Sequence, residues 1–255
     1  MFPVDQMSES EVLRLASFCE IGLAKQGVHE VVEFDRRLYE ECFGFLRRED
    51  GSVLRGGQFM PVLERCGAVS VFDQRMLHAV LEDLDRSPLS VSGCNISAEN
   101  LFIQAHWDFL YTTIRMHAKL APRLVIEFTE TTPCADLKLA ARRLQSLREL
   151  GCRIAMDDFG AATPKVLLEA DFDIIKIDGG FVADMRGAGN DSNSLQRIVA
   201  LANRFCPYVV VEGVETFDQH EQAIDAGASH VQGFLFSTPS QGNSSTANGH
   251  VTLFC

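Results

Sequence analysis

The sequence predicts a closed β/α barrel of the TIM type, and three observations point to it. Short apolar runs alternate with amphipathic stretches at helical spacing along most of the chain. Such strand-then-helix units build parallel strands joined by crossover helices. About seven or eight of them fit within 255 residues, the size of one barrel domain. Asn95, Glu127, Asp157, Lys176, Glu212 and Gln232 each fall near the C-terminal end of a separate predicted strand. In barrels that rim carries ligands and chemistry. An open doubly wound sheet is the alternative for the same units; the polar strand ends favour the barrel.

Taken in order, Ser8 to Lys25 places Val12, Leu13, Leu15, Ala16, Cys19 and Leu23 at helical spacing after the capping residues Ser8 and Ser10, so a helix is expected there. Val28–Phe34 and Leu38–Leu46 read as a strand pair joined around Asp35-Arg36-Arg37, and Arg47 to Gly57 as a charged, glycine-rich connection. Helices are expected over Phe59–Cys66, Val71–Leu84 and Glu99–Lys119, with a strand at Leu89–Ile96 between the last two. Strand Arg123–Thr129, helix Asp136–Leu150, strand Cys152–Asp157 and strand Phe172–Ile177 follow. Helix Ser192–Arg204, strand Tyr208–Glu212, helix Phe217–Ala226 and a last strand through His230, Val231 and Gln232 complete the pattern. From Ser240 to His250 the composition turns to Gly, Ser, Asn and Thr, which bury too little apolar surface to order a segment. The expected organisation is an N-terminal helix (1–27) packed on a barrel (28–239), with a flexible tail (240–255).

Hydrophobic residues are 46% and charged residues 23%, as in a globular protein. The formal charge of −12 argues against DNA, RNA or an anionic membrane as partner, although bound cations can reverse the local field for a phosphorylated ligand. Cys19, Cys42, Cys66, Cys94, Cys134, Cys152, Cys206 and Cys255 form no C-x-x-C pair and read as reduced thiols of a cytoplasmic protein. No apolar run is long enough to span a bilayer, and no signal peptide is visible.

The run Arg153-Ile154-Ala155-Met156-Asp157-Asp158-Phe159-Gly160 reads as a buried strand tipped by adjacent carboxylates. Burying two unpaired charges side by side costs several kcal/mol each, so a neutralising partner is required, and hard divalent cations take carboxylate oxygens. A surface turn built from Asp and Gly is the plainer alternative for this run alone. Glu41, Asn95, Glu127 and Asp157 together offer three carboxylates and one amide oxygen from different strand ends, a shell suited to Mg²⁺ or Mn²⁺. Asp158 adds a ligand for a second ion, and Lys176 a group to orient water or stabilise developing charge. Singly, each is more often a strand-end polar group or a helix cap, and the joint pattern is much stronger than any one member.

The chain resembles the EAL domains, metal-dependent phosphodiesterases that open the bacterial messenger cyclic di-GMP to linear pGpG. The matching stretches, in the family's order, are Phe59-Met60-Pro61-Val62-Leu63-Glu64, Asn95-Ile96-Ser97, Glu127-Phe128-Thr129-Glu130, Asp157-Asp158-Phe159-Gly160, Lys176-Ile177-Asp178, Glu212-Gly213-Val214-Glu215-Thr216 and Gln232-Gly233-Phe234-Leu235-Phe236-Ser237. The resemblance covers roughly 33–239. It implies an EAL-type barrel with Glu41, Asn95, Glu127 and Asp157 as ligands of a first ion and Asp158 facing a second. It further implies Lys176 as the water-orienting lysine, Glu41 and Glu212 beside it in catalysis, and Gln232, Phe234 and Ser97 as substrate contacts. Glu130 and Glu215 are implied as anchors of the loop after Asp158. A homodimer through the helix near that loop is implied by analogy.

Three departures stand out. The signature tripeptide is Glu41-Cys42-Phe43, with Glu40 as the other candidate glutamate. The family's arginine four residues later, which resembles a phosphate contact, is Phe45 here; losing such a contact costs on the order of 1.5 to 3 kcal/mol of binding. The loop Ala161-Ala162-Thr163-Pro164-Lys165 is shorter than the family's by about two residues and differs in sequence. These departures support the second expectation, a catalytically silent cyclic di-GMP receptor or protein-interaction module.

Overall fold

A computed structural model describes residues 8–129, 136–160, 169–183 and 194–241. Eight strands close a ring: β1 (Glu20–Glu30), β2 (Arg37–Arg47), β4 (Ser92–Asn95), β5 (Leu124–Thr129), β6 (Arg153–Phe159), β7 (Ile174–Ile177), β8 (Tyr208–Val211) and β9 (His230–Val231). From β2 through β9 the neighbours run parallel, while β1 is antiparallel to both β2 and β9. The first βα unit of a regular barrel is thus replaced by a β-hairpin. Two short strands flank the ring: β3 (Val53–Arg55) pairs with β2, and β10 (Ser240–Gln241) with β1.

The N-terminal helix is shorter than the spacing predicts. Helix α1 covers Glu9–Phe18, capped by the Ser8 side chain, which accepts from the Glu11 N–H. Leu15, Cys19 and Leu23 keep helical spacing, but Ile21 and Leu23 are both buried two residues apart, the period of a strand. What decides is the pairing of β1 along β2, from Glu20↔Arg47 to His29↔Arg37, which satisfies the backbone of both. Strand β3 and the start of helix α2 (Gly56–Arg65) lie in the stretch read as a connection. Ser240 and Gln241, read as tail, form β10; residues 242–255 lie outside the described set.

Helices α3 (Val69–Arg86), α4 (Gln104–Met116), α5 (Leu137–Glu149), α7 (Ser194–Ala202) and α8 (Phe217–Asp225) follow their strands, with a single turn α6 at Gly180–Ala183. The main core lies between strands and helices, where Leu46, Leu77, Leu84, Ile126, Ile154 and Val211 are fully buried. A second cluster fills the barrel itself: Val28, Tyr39, Val125, Ala155, Ile174 and Val210, one from each of six strands. This plug makes the interior a packed core, so ligands are confined to the rim. The six described cysteines are free thiols, and among the described residues no helix is long and apolar enough to cross a membrane.

Candidate active site

Alternation along β2 places Tyr39 and Glu41 on the inward face, Tyr39 in the plug and Glu41 one layer above it. The parallel register then sets Asn95 of β4 beside Glu127 of β5, and Lys176 of β7 beside Val210 of β8, just below Glu212. Lys176 is fully buried, and four carboxylates surround its Nζ: Glu41 Oε2 at 2.8 Å, Glu127 Oε2 at 2.9 Å, Asp157 Oδ1 at 3.1 Å and Glu212 Oε1 at 2.8 Å. Neutral groups complete the shell. Asn95 Nδ2 donates to Glu41 Oε1 at 2.7 Å, Gln232 Nε2 to Glu41 Oε2 at 2.7 Å, and the Tyr39 hydroxyl to Glu127 Oε2 at 3.1 Å. Glu40 pairs instead with Arg37 on the surface, so Glu41 is the glutamate of the site.

Asp157 and Asp158 both reach the rim because β6 is irregular there. Its register with β7 shifts between Met156 and Phe159, and Asp158 takes a left-handed backbone (φ 56°). In an unbroken strand successive side chains point to opposite faces; the bulge turns both carboxylates toward one cavity, which Glu41, Glu212, Glu215, Gln232 and Phe234 also line. Asp tolerates this conformation better than most residues. Close packing serves the site too. A Cβ on Gly93 would lie 2.1 Å from Glu127 Oε1, so the barrel leaves room for that carboxylate only where β4 carries glycine.

One lysine does not balance four carboxylates, two of them buried and two half-buried, and the acidities record this. Burial, then the charge of Glu41, pushes Glu127 well above the usual carboxylate range. Burial raises Glu212 to about 8 despite Lys176 beside it. Burial also raises Asp158 to about 6, with Asp157 adding to it. Glu41 moves the other way: burial opposes it, but Lys176 and hydrogen bonds from Lys176, Gln232 and Asn95 hold it below its ordinary value. Burial would lower Lys176, and the surrounding Glu127, Glu212, Glu41 and Asp157 outweigh it, so its pKa lies well above normal.

The donor set fits divalent cations. Ligand atoms of Glu41, Glu127 and Asp157 lie within 4.8 Å of one another, as do those of Asp157, Asp158 and Glu212. Glu127 Oε1 and Asp157 Oδ1 are buried without a hydrogen-bond partner; the latter is close to Lys176 but outside hydrogen-bond geometry. Buried acceptors left unmatched cost about 1–3 kcal/mol each, more when charged, and a cation satisfies both. Asn95 commits its amide nitrogen to Glu41, which leaves its oxygen for an ion.

Of the other expected residues, Ser97 gives both its N–H (2.8 Å) and its hydroxyl (2.6 Å) to Asp73 Oδ2, while lining a second cavity with Asn95 and Asp158. Phe234 is 60% exposed at the rim, an aromatic face turned to solvent. Glu215 gives its N–H to Gln219, and the loop expected as its partner, with Glu130 and Ala161–Lys165, lies outside the described residues.

Three supporting residues were not expected from the sequence. Tyr39 could have been found, two positions before Glu41 on the same strand face. Gln26 pairs with Glu41 in the β1–β2 register, and its side chain accepts from Gln232. Asp73 carries no sequence signal, since it is a single acid on the buried face of α3. Its Oδ2 accepts from Ser97 and from Asn100 Nδ2, pinning the loop that follows Asn95.

Burial raises Asp73 to about 6, so the folded state holds its proton more tightly than the unfolded chain does. That contribution to stability is present below pH 4 and is lost as the pH rises through about 6. Asp73→Asn removes the titration. The variant therefore gains on the wild type by up to about 3 kcal/mol between pH 4 and pH 7.5, measured by denaturant unfolding in the absence of metal. A stability difference that does not change with pH would contradict this.

Comparison with known proteins agrees with this geometry. Residues 14–239 match the EAL domain family. The uncharacterized protein Rv1354c of Mycobacterium tuberculosis is 32% identical over 242 residues, covering 92% of this chain and 37% of the relative. Cyclic di-GMP phosphodiesterase PdeF of Escherichia coli is 28% identical over 209 residues, 79% of this chain and 28% of the relative. The chain therefore spans well under half the length of these curated relatives. Among solved structures, the FimX EAL domain of Pseudomonas aeruginosa bound to c-di-GMP superposes with a TM-score of 0.75 at 23% identity, covering 91% of this chain and 95% of that one. A match over nearly the whole described barrel, together with a rim of acids drawn from separate strands, assigns this chain to the EAL-domain family.

Proposed function

We propose that the chain is a phosphodiesterase that hydrolyses cyclic di-GMP to linear pGpG with Mg²⁺ or Mn²⁺ as cofactor, in the bacterial cytoplasm. The observation that carries this reading is the gathering of Glu41, Glu127, Asp157 and Glu212 around Lys176, with acceptors left over for a cation. It is supported by the activity for which PdeF is named and by the c-di-GMP bound to the FimX domain.

Glu41, Asn95, Glu127 and Asp157 would hold the first ion, and Asp158, with Asp157 and Glu212, the second. Divalent ions bound there would lower the pKa of water and draw charge from the attacked phosphate. The remaining work falls to the protein. Lys176 Nζ, which would have an N–H freed wherever a carboxylate turned from it to an ion, donates to the attacking water and offsets charge on the phosphorus oxygens as one ester bond breaks. Gln232 and Asn95 fix the Glu41 carboxylate through their 2.7 Å hydrogen bonds. Phe234 presents its exposed ring to a guanine base, Ser97 holds the rim after β4, and Glu130 and Glu215 anchor the loop after Asp158. A homodimer through the helix near that loop belongs to the same proposal.

Phe45, in place of a phosphate-binding arginine, favours the second reading, a receptor that binds the dinucleotide without turning it over. Incubation with cyclic di-GMP and Mn²⁺, with products separated by anion-exchange chromatography, distinguishes the two. Linear pGpG that disappears in Glu41→Ala is the expected result. Saturable binding with no product under single-turnover conditions would replace the enzyme reading with the receptor.

A further inference from the structure

The proposed ions and Lys176 serve the attacked phosphate, but a cyclic dinucleotide carries a second phosphate and two bases, which need donors beyond the acid-rich rim. We infer that Arg55 of β3 is a substrate-binding residue that contacts a phosphate or base edge of the dinucleotide, doing from the neighbouring strand what Phe45 cannot do from β2. The inference rests on the reading of the preceding subsection.

The register carries it. Glu41, Phe43 and Phe45 share one face of β2, and the β1–β2 pairing is unbroken from Glu20↔Arg47 through Val28↔Tyr39, so that face continues past the rim without a flip. Arg55 is directly opposite Phe45 in the antiparallel β2–β3 pair, and opposed residues point to the same side. Arg55 therefore projects from the face that carries Glu41, four residues further along, or roughly 13 Å. It also lines a cavity of about 360 Å³ together with Phe43, Met60 and Asn95, so that one open space connects it to a proposed ion ligand.

Other cations near this face are engaged or absent. Position 45 itself carries no charge, and the Phe45 ring lies across Gly22, where a Cβ would come within 2.1 Å of it. Arg47, two residues on, sits over the Phe45 ring at 5.6 Å and pairs with Glu20 at 3.8 Å. Among the described residues that line this cavity and two others bordered by Asn95 or Asp158, Arg55 is the one basic side chain, and no described carboxylate forms an ion pair with it. A guanidinium offers paired N–H donors that match a phosphate or the acceptor edge of guanine.

The test is calorimetric binding of cyclic di-GMP in Ca²⁺ by wild type, Arg55→Gln, Arg55→Lys and, as control, Arg65→Gln on the exposed side of α2, with the melting temperature of each free protein. Arg55→Gln is expected to bind about ten- to a hundredfold more weakly, with Arg55→Lys between it and wild type, Arg65→Gln unchanged and all melting temperatures alike. The Arg55→Gln deficit shrinks as salt is raised, because a screened charge was lost. Binding by Arg55→Gln within twofold of wild type overturns the inference. So does equal weakening in the Gln and Lys variants with both melting temperatures lowered, which marks a structural role in β3. A wild type that does not bind the dinucleotide overturns the phosphodiesterase reading itself, and this inference with it.

Discussion

Lys176→Ala is expected to lose activity and stability together. The lysine is the cation in contact with Glu41, Glu127, Asp157 and Glu212, and removing it leaves those carboxylates facing one another in a buried site. Breaking a buried charge network by deleting one partner costs about 3–5 kcal/mol, and that loss is expected for the variant unfolded in EDTA at pH 8. At pH 5 the deficit is smaller, because protonation neutralises the same carboxylates, two of which already have pKa values raised by burial. Mn²⁺ recovers stability, since cations replace the missing charge. Hydrolysis stays about a hundred- to a thousandfold below wild type, because the donor to the attacking water is gone. A variant that melts like the wild type in EDTA at pH 8 would show that Lys176 does not hold the carboxylates together.

The second large effect separates the two adjacent aspartates. Asp157 belongs to both carboxylate groups able to hold an ion, whereas Asp158 belongs to one. Asp157→Asn is therefore expected to abolish the Mn²⁺-dependent rise in melting temperature and to reduce hydrolysis to background. Asp158→Asn is expected to retain that rise through the first ion while losing most of the rate. Asparagine tolerates the left-handed backbone of position 158 nearly as well as aspartate, so the fold is preserved. Since a ligand at about a hundred times its Kd stabilises by about 2.7 kcal/mol, the contrast is within reach of a thermal melt. Equal Mn²⁺ stabilisation of the Asp157 variant and the wild type would contradict the shared-ligand geometry.

Most of the rim was legible in the sequence because Asn95, Glu127, Asp157, Lys176, Glu212 and Gln232 each sit near the end of an apolar run, and a barrel brings such ends to one place; Glu41, in the middle of β2, carries no such signal. Glu127, Asp157, Lys176 and Gln232 needed only a strand and its polar tip to be located. What sequence could not supply is the partnership among them. Nothing in the spacing says that Lys176 would be encircled by four acids, or that the bulge at Asp157 and Asp158 would turn both inward. Tertiary pairing also overrode local pattern at the N-terminus, where residues 20–25 have helical spacing yet form β1 against β2. Strand β3 escaped notice because Val53–Arg55 is too short to show a period, and Asp73 because one acid on an amphipathic helix looks like surface.

The central claim is that the rim carboxylates are gathered to bind cations. Crystals soaked in Mn²⁺ and measured at the manganese absorption edge test it most directly. An anomalous peak within coordination distance of Glu127, Asp157 and the Asn95 amide oxygen is predicted, with Lys176 still against Glu212. No peak at that position at millimolar Mn²⁺, with all four carboxylates still on Lys176, would contradict it.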